Sequence, residues 1–273
     1  MKRSVFFLSD RTGITAEMLG LSLLTQFDGL VFDHSILPFI DTDTKAEQAV
    51  QEINRAAARE GSRPLLFSTI IDEGIRQIIS QSHGLLFDLF ATFIGQLENE
   101  LHSVSSPLIG RTHGRGVEAK YKARIDAVNF ALSNDDGVSA KDYPSADIIL
   151  VGVSRTGKTP TCLYLAMQYG IKAANYPLTE EDMNSRHLPV ILAPHQQKLF
   201  GLTISPVRLH EIRKERRANS RYASLAQCEF EVKAVENIFQ HQQVAFIDTS
   251  SASIEEIATT LLHQCGLQRR LLG

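Results

Sequence analysis

Gly152, Gly157, Lys158 and Thr159 fit the pattern G-x-x-x-x-G-K-[ST] without a mismatch, between an apolar run at 148–151 and an apolar helical stretch. A turn of this kind wraps backbone N–H groups around phosphates at a helix N-terminus, where the helix dipole favours negative charge. The lysine neutralises the terminal phosphates, and the threonine hydroxyl can ligand a magnesium ion. Gly152, Val153, Ser154, Arg155, Thr156, Gly157, Lys158 and Thr159 are therefore expected to bind a nucleoside phosphate. Lys158 is the expected catalytic cation and Thr159 the expected Mg2+ ligand. Pro160 follows in the first helical turn, where its missing N–H costs little.

Other residues could serve the same chemistry. Asp248 closes an apolar strand and is a candidate metal-linked carboxylate or general base, although Thr249 and Ser250 beside it also suit a helix cap. Arg208, Arg213, Arg216, Arg217 and Arg221 cluster in one segment. Arginine forks match phosphate oxygens, which makes Arg213 and Arg217 phosphate candidates. A solvated helix with Glu211 in ion pairs explains the same pattern. The turn 9–15, SDRTGIT, follows a buried strand and leads into a helix, an arrangement suited to an anion. Thr12 and Gly13 could meet phosphate there, and Asp10 could be a base; alternatively Asp10 or Thr12 simply caps the helix. Arg111 and His113 lie in a glycine loop that could contact phosphate. No histidine or cysteine spacing suggests zinc, and no G-x-S-x-G elbow suggests a hydrolase.

These turns need strands and helices to hold them. Apolar runs at 4–8, 36–40, 65–71 and 85–90 are each followed by a helical pattern, which predicts a parallel sheet covered on both faces. The right-handed crossover rule then places the strand–helix turns along one edge. A Gly- and Ser-rich stretch follows, then a helix with Tyr121, Ile125, Val128 and Leu132 on one face. Further strands are expected at 148–151, 173–176, 190–193, 199–204 and 244–247, with a closing helix at 254–262. The expected organisation is an N-terminal Rossmann-like α/β domain (1–104), a connecting loop and helix (105–145) and a phosphate-loop kinase-like α/β domain (146–273). No internal repeat shows in the sequence.

The chain has 273 residues, 43% hydrophobic and 22% charged, with a formal net charge of −3. That balance gives no case for broad binding to nucleic acid. Three dispersed cysteines, the absence of a signal-peptide core and the lack of any membrane-length apolar run lead to the expectation of a cytoplasmic protein.

Segments in both halves resemble the bifunctional regulatory proteins of phosphoenolpyruvate synthase and of pyruvate, phosphate dikinase. They are SDRTGITAE at 9–17, KYKARIDAVNFALSNDDG at 120–137, the stretch 152–183, ERRANSRYAS within 198–224, and IDTSSASIEEIA at 247–258. The resemblance implies a serine/threonine kinase that moves the β-phosphoryl of ADP onto a threonine of phosphoenolpyruvate synthase, inactivating it. It also implies a phosphorylase that reverses the modification with inorganic phosphate and releases pyrophosphate. ADP as donor, Mg2+ as cofactor, the synthase and phosphate as partners, and a homodimer all follow from that resemblance. Two other readings fit the loop alone: an ATP-dependent small-molecule kinase, and a binding protein that responds to nucleotide without turnover.

Overall fold

The computed structural model describes residues 2–105, 117–137, 141–185, 187–218 and 220–270. The chain forms two compact units, 1–114 and 115–273. Each contains a four-stranded, wholly parallel sheet with helices on both faces, as the alternating pattern predicts.

In the first unit the order along the chain is β1 (Lys2–Leu8), α1 (Ile14–Leu24), β2 (Val31–Leu37), α2 (Asp43–Glu60), β3 (Leu65–Ser68), α3 (Glu73–Ser80), β4 (Leu85–Asp88) and α4 (Leu89–Leu101). The sheet runs β2-β1-β3-β4. The period-two alternation of a strand divides β1 between two cores. Phe6 and Leu8 join Ile53 of α2 and Ile75 and Ile79 of α3, whereas Val5 and Phe7 join Ala16 and Leu24 of α1. Gly20 lets α1 settle on the sheet, because a Cβ there would lie 2.5 Å from the Phe7 ring. Thr42, Asp72 and Asp88 cap α2, α3 and α4 by accepting from N–H groups of the first turn.

The second unit comprises α5 (Val117–Ser133), β5 (Ile148–Gly152), α6 (Lys158–Tyr169), β6 (Ala173–Pro177), α7 (Glu180–Ser185), β7 (Leu199–Thr203), α8 (Pro206–Arg216), α9 (Leu225–His241), β8 (Phe246–Asp248) and α10 (Ile254–Gln264). Its sheet runs β6-β5-β7-β8, the same pattern as in the first unit. Fully buried β5 again serves two cores. Ile148 and Leu150 pack with Leu165 of α6 and Leu261 of α10, while Ile149 and Val151 pack with Leu209 of α8 and Phe239 of α9. Strand order reverses across β5, so the turn that follows it opens at the topological switch point, where α/β sheets bind ligands.

Several elements differ from the sequence expectation. The run at 36–40 contributes only its start, because the second strand is Val31–Leu37 and the chain then turns through Phe39 at positive φ. The stretch 190–193 is no strand but a turn entering a 3-10 helix, with Pro189 and Pro194 withholding the donors that a ladder requires. On α5 the core takes Ala127, Phe130 and Ala131 while Tyr121 and Leu132 face solvent, so the inward stripe is made of smaller residues than the large apolar ones suggested. Ser253 caps α10 in a reciprocal capping box with Glu256, displacing Thr249 and Ser250 from that role.

Gly201, in the middle of β7, lies under α9: a Cβ there would stand 2.6 Å from the Phe239 ring and 2.7 Å from Phe246 Cβ. Gly201→Ala is expected to destabilise the second unit by roughly 1–3 kcal/mol through overpacking, measured by denaturant unfolding.

Candidate active site

The turn between β5 and α6 is fastened by its carbonyl oxygens. Gly152 O accepts from Leu178 N at 3.1 Å and Gly157 O from Thr161 N at 3.1 Å. Val153 O accepts from Lys158 Nζ at 2.8 Å and from Thr156 Oγ1 at 3.2 Å. Ser154 O accepts from Arg213 Nη2 at 3.1 Å, and Thr156 O from Thr249 Oγ1 at 3.2 Å. The N–H groups from Ser154 through Thr159 donate to none of the described residues. Gly157 at φ 86° is the N-cap of α6, and no side chain caps the helix. Free N–H groups converging on a positive helix end form an anion cradle. At Gly152 a Cβ would meet Leu202 O at 2.3 Å, so the strand can pass into this turn only through glycine.

Lys158 is buried, and its ammonium is folded back onto the loop. Burial pulls its pKa down from 10.5 to about 8, against the opposing pull of the Asp136 and Asp135 charges. Keeping this cation out of water costs on the order of 3 kcal/mol in the ligand-free protein.

Asp135 and Asp136, in the turn after α5, escaped the sequence reading. Asp135 Oδ1 accepts from Thr159 Oγ1 at 2.8 Å and from Asn175 Nδ2, while Asn175 Oδ1 accepts from Asp136 N at 3.1 Å. Buried Asn175 of β6 thus seats both aspartates beside the start of α6. The Asp-Asp-Gly turn was a visible signal, but its partners lie in other elements. Thr159 and Asp135 offer the hard oxygens that Mg2+ takes together with phosphate and water, so the donor set fits the expected ion.

The arginine expectation needs correction. Arg213 is fully buried and cannot fork onto a phosphate. Its guanidinium donates to Glu231 Oε2 at 2.6 Å and Tyr222 O at 3.0 Å as well as Ser154 O, and stacks 4.1 Å from the centroid of the Tyr222 ring. Tyr222 in turn donates to Ser154 Oγ at 3.1 Å. The arginine-rich segment therefore braces the loop. Arg217 is exposed at the end of α8, and Arg208 pairs with Glu211 at 3.1 Å. Asp248 is exposed and accepts from Ser250 N and Oγ; its neighbour Thr249 makes the contact with the loop.

Arg155, at the apex of the loop, adopts φ 83°, a left-handed conformation costing an L-residue roughly 1–2 kcal/mol. Its side chain is exposed and has no hydrogen-bond or ion-pair partner among the described residues.

The first unit holds a related turn, described by itself. After β1, Arg11-Thr12-Gly13 repeats the Arg155-Thr156-Gly157 sequence, and Gly13 is the N-cap of α1 at φ 83°. No side chain caps this helix either, so neither Asp10 nor Thr12 fills the capping role allowed for them. Asp10 is buried and accepts from Ile71 N at 3.3 Å, Thr12 is exposed, and Ile14 stands where the other turn has Lys158. Arg111 and His113 lie outside the described residues.

The sequence profile of the Kinase/pyrophosphorylase family matches residues 5–262. A protein of Ectopseudomonas mendocina (strain ymp) is 55% identical over 271 residues, covering 99% of this chain and 100% of the relative. One from Stutzerimonas stutzeri (strain A1501) is 54% identical over the same 99% and 100%. Another, from Pseudomonas aeruginosa (strain LESB58), is 55% identical over 99% of this chain and 98% of its own length. All three carry the provisional name phosphoenolpyruvate synthase regulatory protein. No helix among the described residues is long and apolar enough to cross a membrane.

Because folding lowers the Lys158 pKa, this residue binds fewer protons in the folded protein than in the unfolded chain between about pH 8 and 10.5, while the buried Cys162 thiol, pushed up by desolvation, works in the opposite direction. The Lys158 contribution to stability therefore rises with pH across that window. Lys158→Met should remove that contribution, so that the variant loses more stability than wild type as pH rises through the window, and should increase the melting temperature of the ligand-free protein at neutral pH, read by calorimetry. ADP affinity, measured by titration calorimetry, should hold below about pH 8 and weaken above it as the free lysine loses its proton.

Proposed function

Since the chain belongs to the Kinase/pyrophosphorylase family, we propose that it phosphorylates a threonine of phosphoenolpyruvate synthase from ADP and removes that phosphate with inorganic phosphate as acceptor. The observation that carries this reading is the loop 152–159: the carbonyls of Gly152, Val153, Ser154, Thr156 and Gly157 are engaged, while the N–H groups from 154 to 159 have no partner among the described residues and are open to phosphate oxygens. The relatives' name supports the synthase as the partner.

In the forward direction the loop and Lys158 hold the ADP phosphates. Displacing Lys158 from Val153 O onto phosphate replaces a carbonyl partner by a full negative charge. Thr159 and Asp135 would hold Mg2+, which supplies charge neutralisation on the phosphates when bound. Asp136 is assigned as the base: its backbone is fixed by Asn175, its charge acts on Lys158, and its carboxylate has no hydrogen-bond partner among the described residues. It takes over the role first considered for Asp10 and Asp248. The target hydroxyl attacks the β-phosphorus, the bond to AMP breaks, and the threonine proton passes to Asp136. In the reverse reaction a phosphate oxygen attacks the phosphothreonine phosphorus, the bond to the threonine oxygen breaks, that oxygen takes up the proton given up by the attacking phosphate, and pyrophosphate is released.

A homodimer is part of this proposal. No residue of α4 is buried, and Phe90, Phe93, Leu97 and Leu101 follow one helical stripe, each exposed. A two-fold axis would set this stripe against its own copy, covering both.

Incubation with phosphoenolpyruvate synthase and ADP labelled at the β-phosphoryl should place label on a synthase threonine. Unlabelled phosphate should then release it as pyrophosphate. Asp136→Asn should keep ADP affinity and slow transfer by on the order of 100-fold. Transfer from ATP to a small metabolite, with no label on the synthase, would overturn the assignment. Light scattering should show a dimer that the double variant Leu97→Glu, Leu101→Glu converts to monomer; a wild-type monomer overturns the oligomer.

A further inference from the structure

Three residues in the loop have positive φ: Gly152, Arg155 and Gly157. Two are glycines, for which this backbone is easy. The third is arginine, in a conformation that glycine would adopt without strain. Its side chain offers the ligand-free fold nothing in return, being exposed and without a partner among the described residues. It covers no core and braces no neighbour. Strain retained at one position of an otherwise over-determined loop is the mark of a group kept for a bound partner. The related turn of the first unit supplies the contrast. Arg11 occupies the equivalent place before Thr12 and Gly13, and it is not among the residues with positive φ.

The other arginine near the loop cannot meet a phosphate. Arg213 is fully buried, and both of its terminal nitrogens are engaged, on Glu231, Tyr222 O and Ser154 O. Lys158 lies folded inward on Val153 O. Among the described residues, Arg155 is the exposed cation carried by the loop itself, beside N–H groups that have no partner among those residues. A guanidinium fork there matches two oxygens of one phosphoryl group, which an ammonium meets only as a point charge.

We propose that Arg155 is a catalytic residue, an arginine supplied from within the phosphate loop itself that binds the phosphoryl group while it is between donor and acceptor. This rests on the reading of the protein as an ADP-dependent kinase and phosphate-dependent phosphorylase. In one direction the bond from AMP oxygen to the β-phosphorus breaks as the threonine oxygen bonds to it. In the other, the threonine–phosphorus bond breaks as a phosphate oxygen bonds. The same phosphoryl group passes between two oxygens each time, with charge spread over its remaining oxygens. One outward arginine therefore serves both directions, and the strained backbone aims it before substrate arrives.

The test compares wild type, Arg155→Gly and Arg155→Lys. Arg155→Gly should melt a few degrees higher than wild type without nucleotide, since strain is relieved. It should bind ADP within about threefold of wild type, yet transfer in both directions at least about 100-fold more slowly. Arg155→Lys should recover part of the rate but not all of it. If wild type labels the synthase and Arg155→Gly does so equally fast, the role of Arg155 is overturned and the kinase reading stands. An equal loss of ADP binding and transfer also overturns it, since the residue would then serve only to hold ground-state nucleotide. A wild type that transfers nothing overturns both.

Discussion

The loop 152–159 is secured through its oxygens, and this leaves its nitrogens open. Most backbone groups at a buried strand end pair with one another, and a loop satisfied in that way has nothing left for a ligand. Here Leu178, Thr161, Arg213 and Thr249 each draw off one carbonyl, while Lys158 and Thr156 share a fifth. These donors come from the turns after β6 and β8, from α8 and from α6 itself. Placing them requires the whole second sheet and both of its helical layers. The packing of β5 between two cores is therefore what keeps the cradle shaped without a ligand. Its local costs, a dehydrated lysine and an arginine in the left-handed region, are small against the burial of five strand residues on both faces.

Much of this was legible in the sequence because it is written in local periods. Continuous apolar runs and helical stripes give strands and helices, and a glycine-bounded turn between them gives the phosphate loop. The failures share a cause as well. Whether Arg213 is a solvent-facing fork or a buried brace depends on Glu231 and Tyr222, which only the fold of α8 onto α9 brings to it. Asp135 and Asp136 gain significance from Thr159 and Asn175, contributed by α6 and β6. The false strand at 190–193 shows the opposite error, since apolar content was read without the prolines that withhold its donors.

The two sheets share one strand order, and the turns after β1 and β5 share Arg-Thr-Gly with a left-handed glycine and an uncapped helix. Outside these turns the side chains of the two units differ. Topology and backbone conformation persist because a parallel α/β layer has few ways to close, whereas its side chains need only preserve volume and polarity. What separates the turns is charge: Asp10 and Ile14 stand in one, Ser154 and Lys158 in the other.

Both sheets are parallel throughout, so neither contains a hairpin that could form early from neighbouring residues. Every ladder must wait for a crossover to close, which makes each sheet a slow folder with its strand edges exposed meanwhile. Yet each unit occupies an unbroken stretch of chain, and the first needs no strand from the second. On a ribosome, all four strands of the first sheet can emerge and pair before Lys158 has been made. Splitting eight parallel strands into two consecutive sets of four thus halves the span over which pairing errors can occur during synthesis.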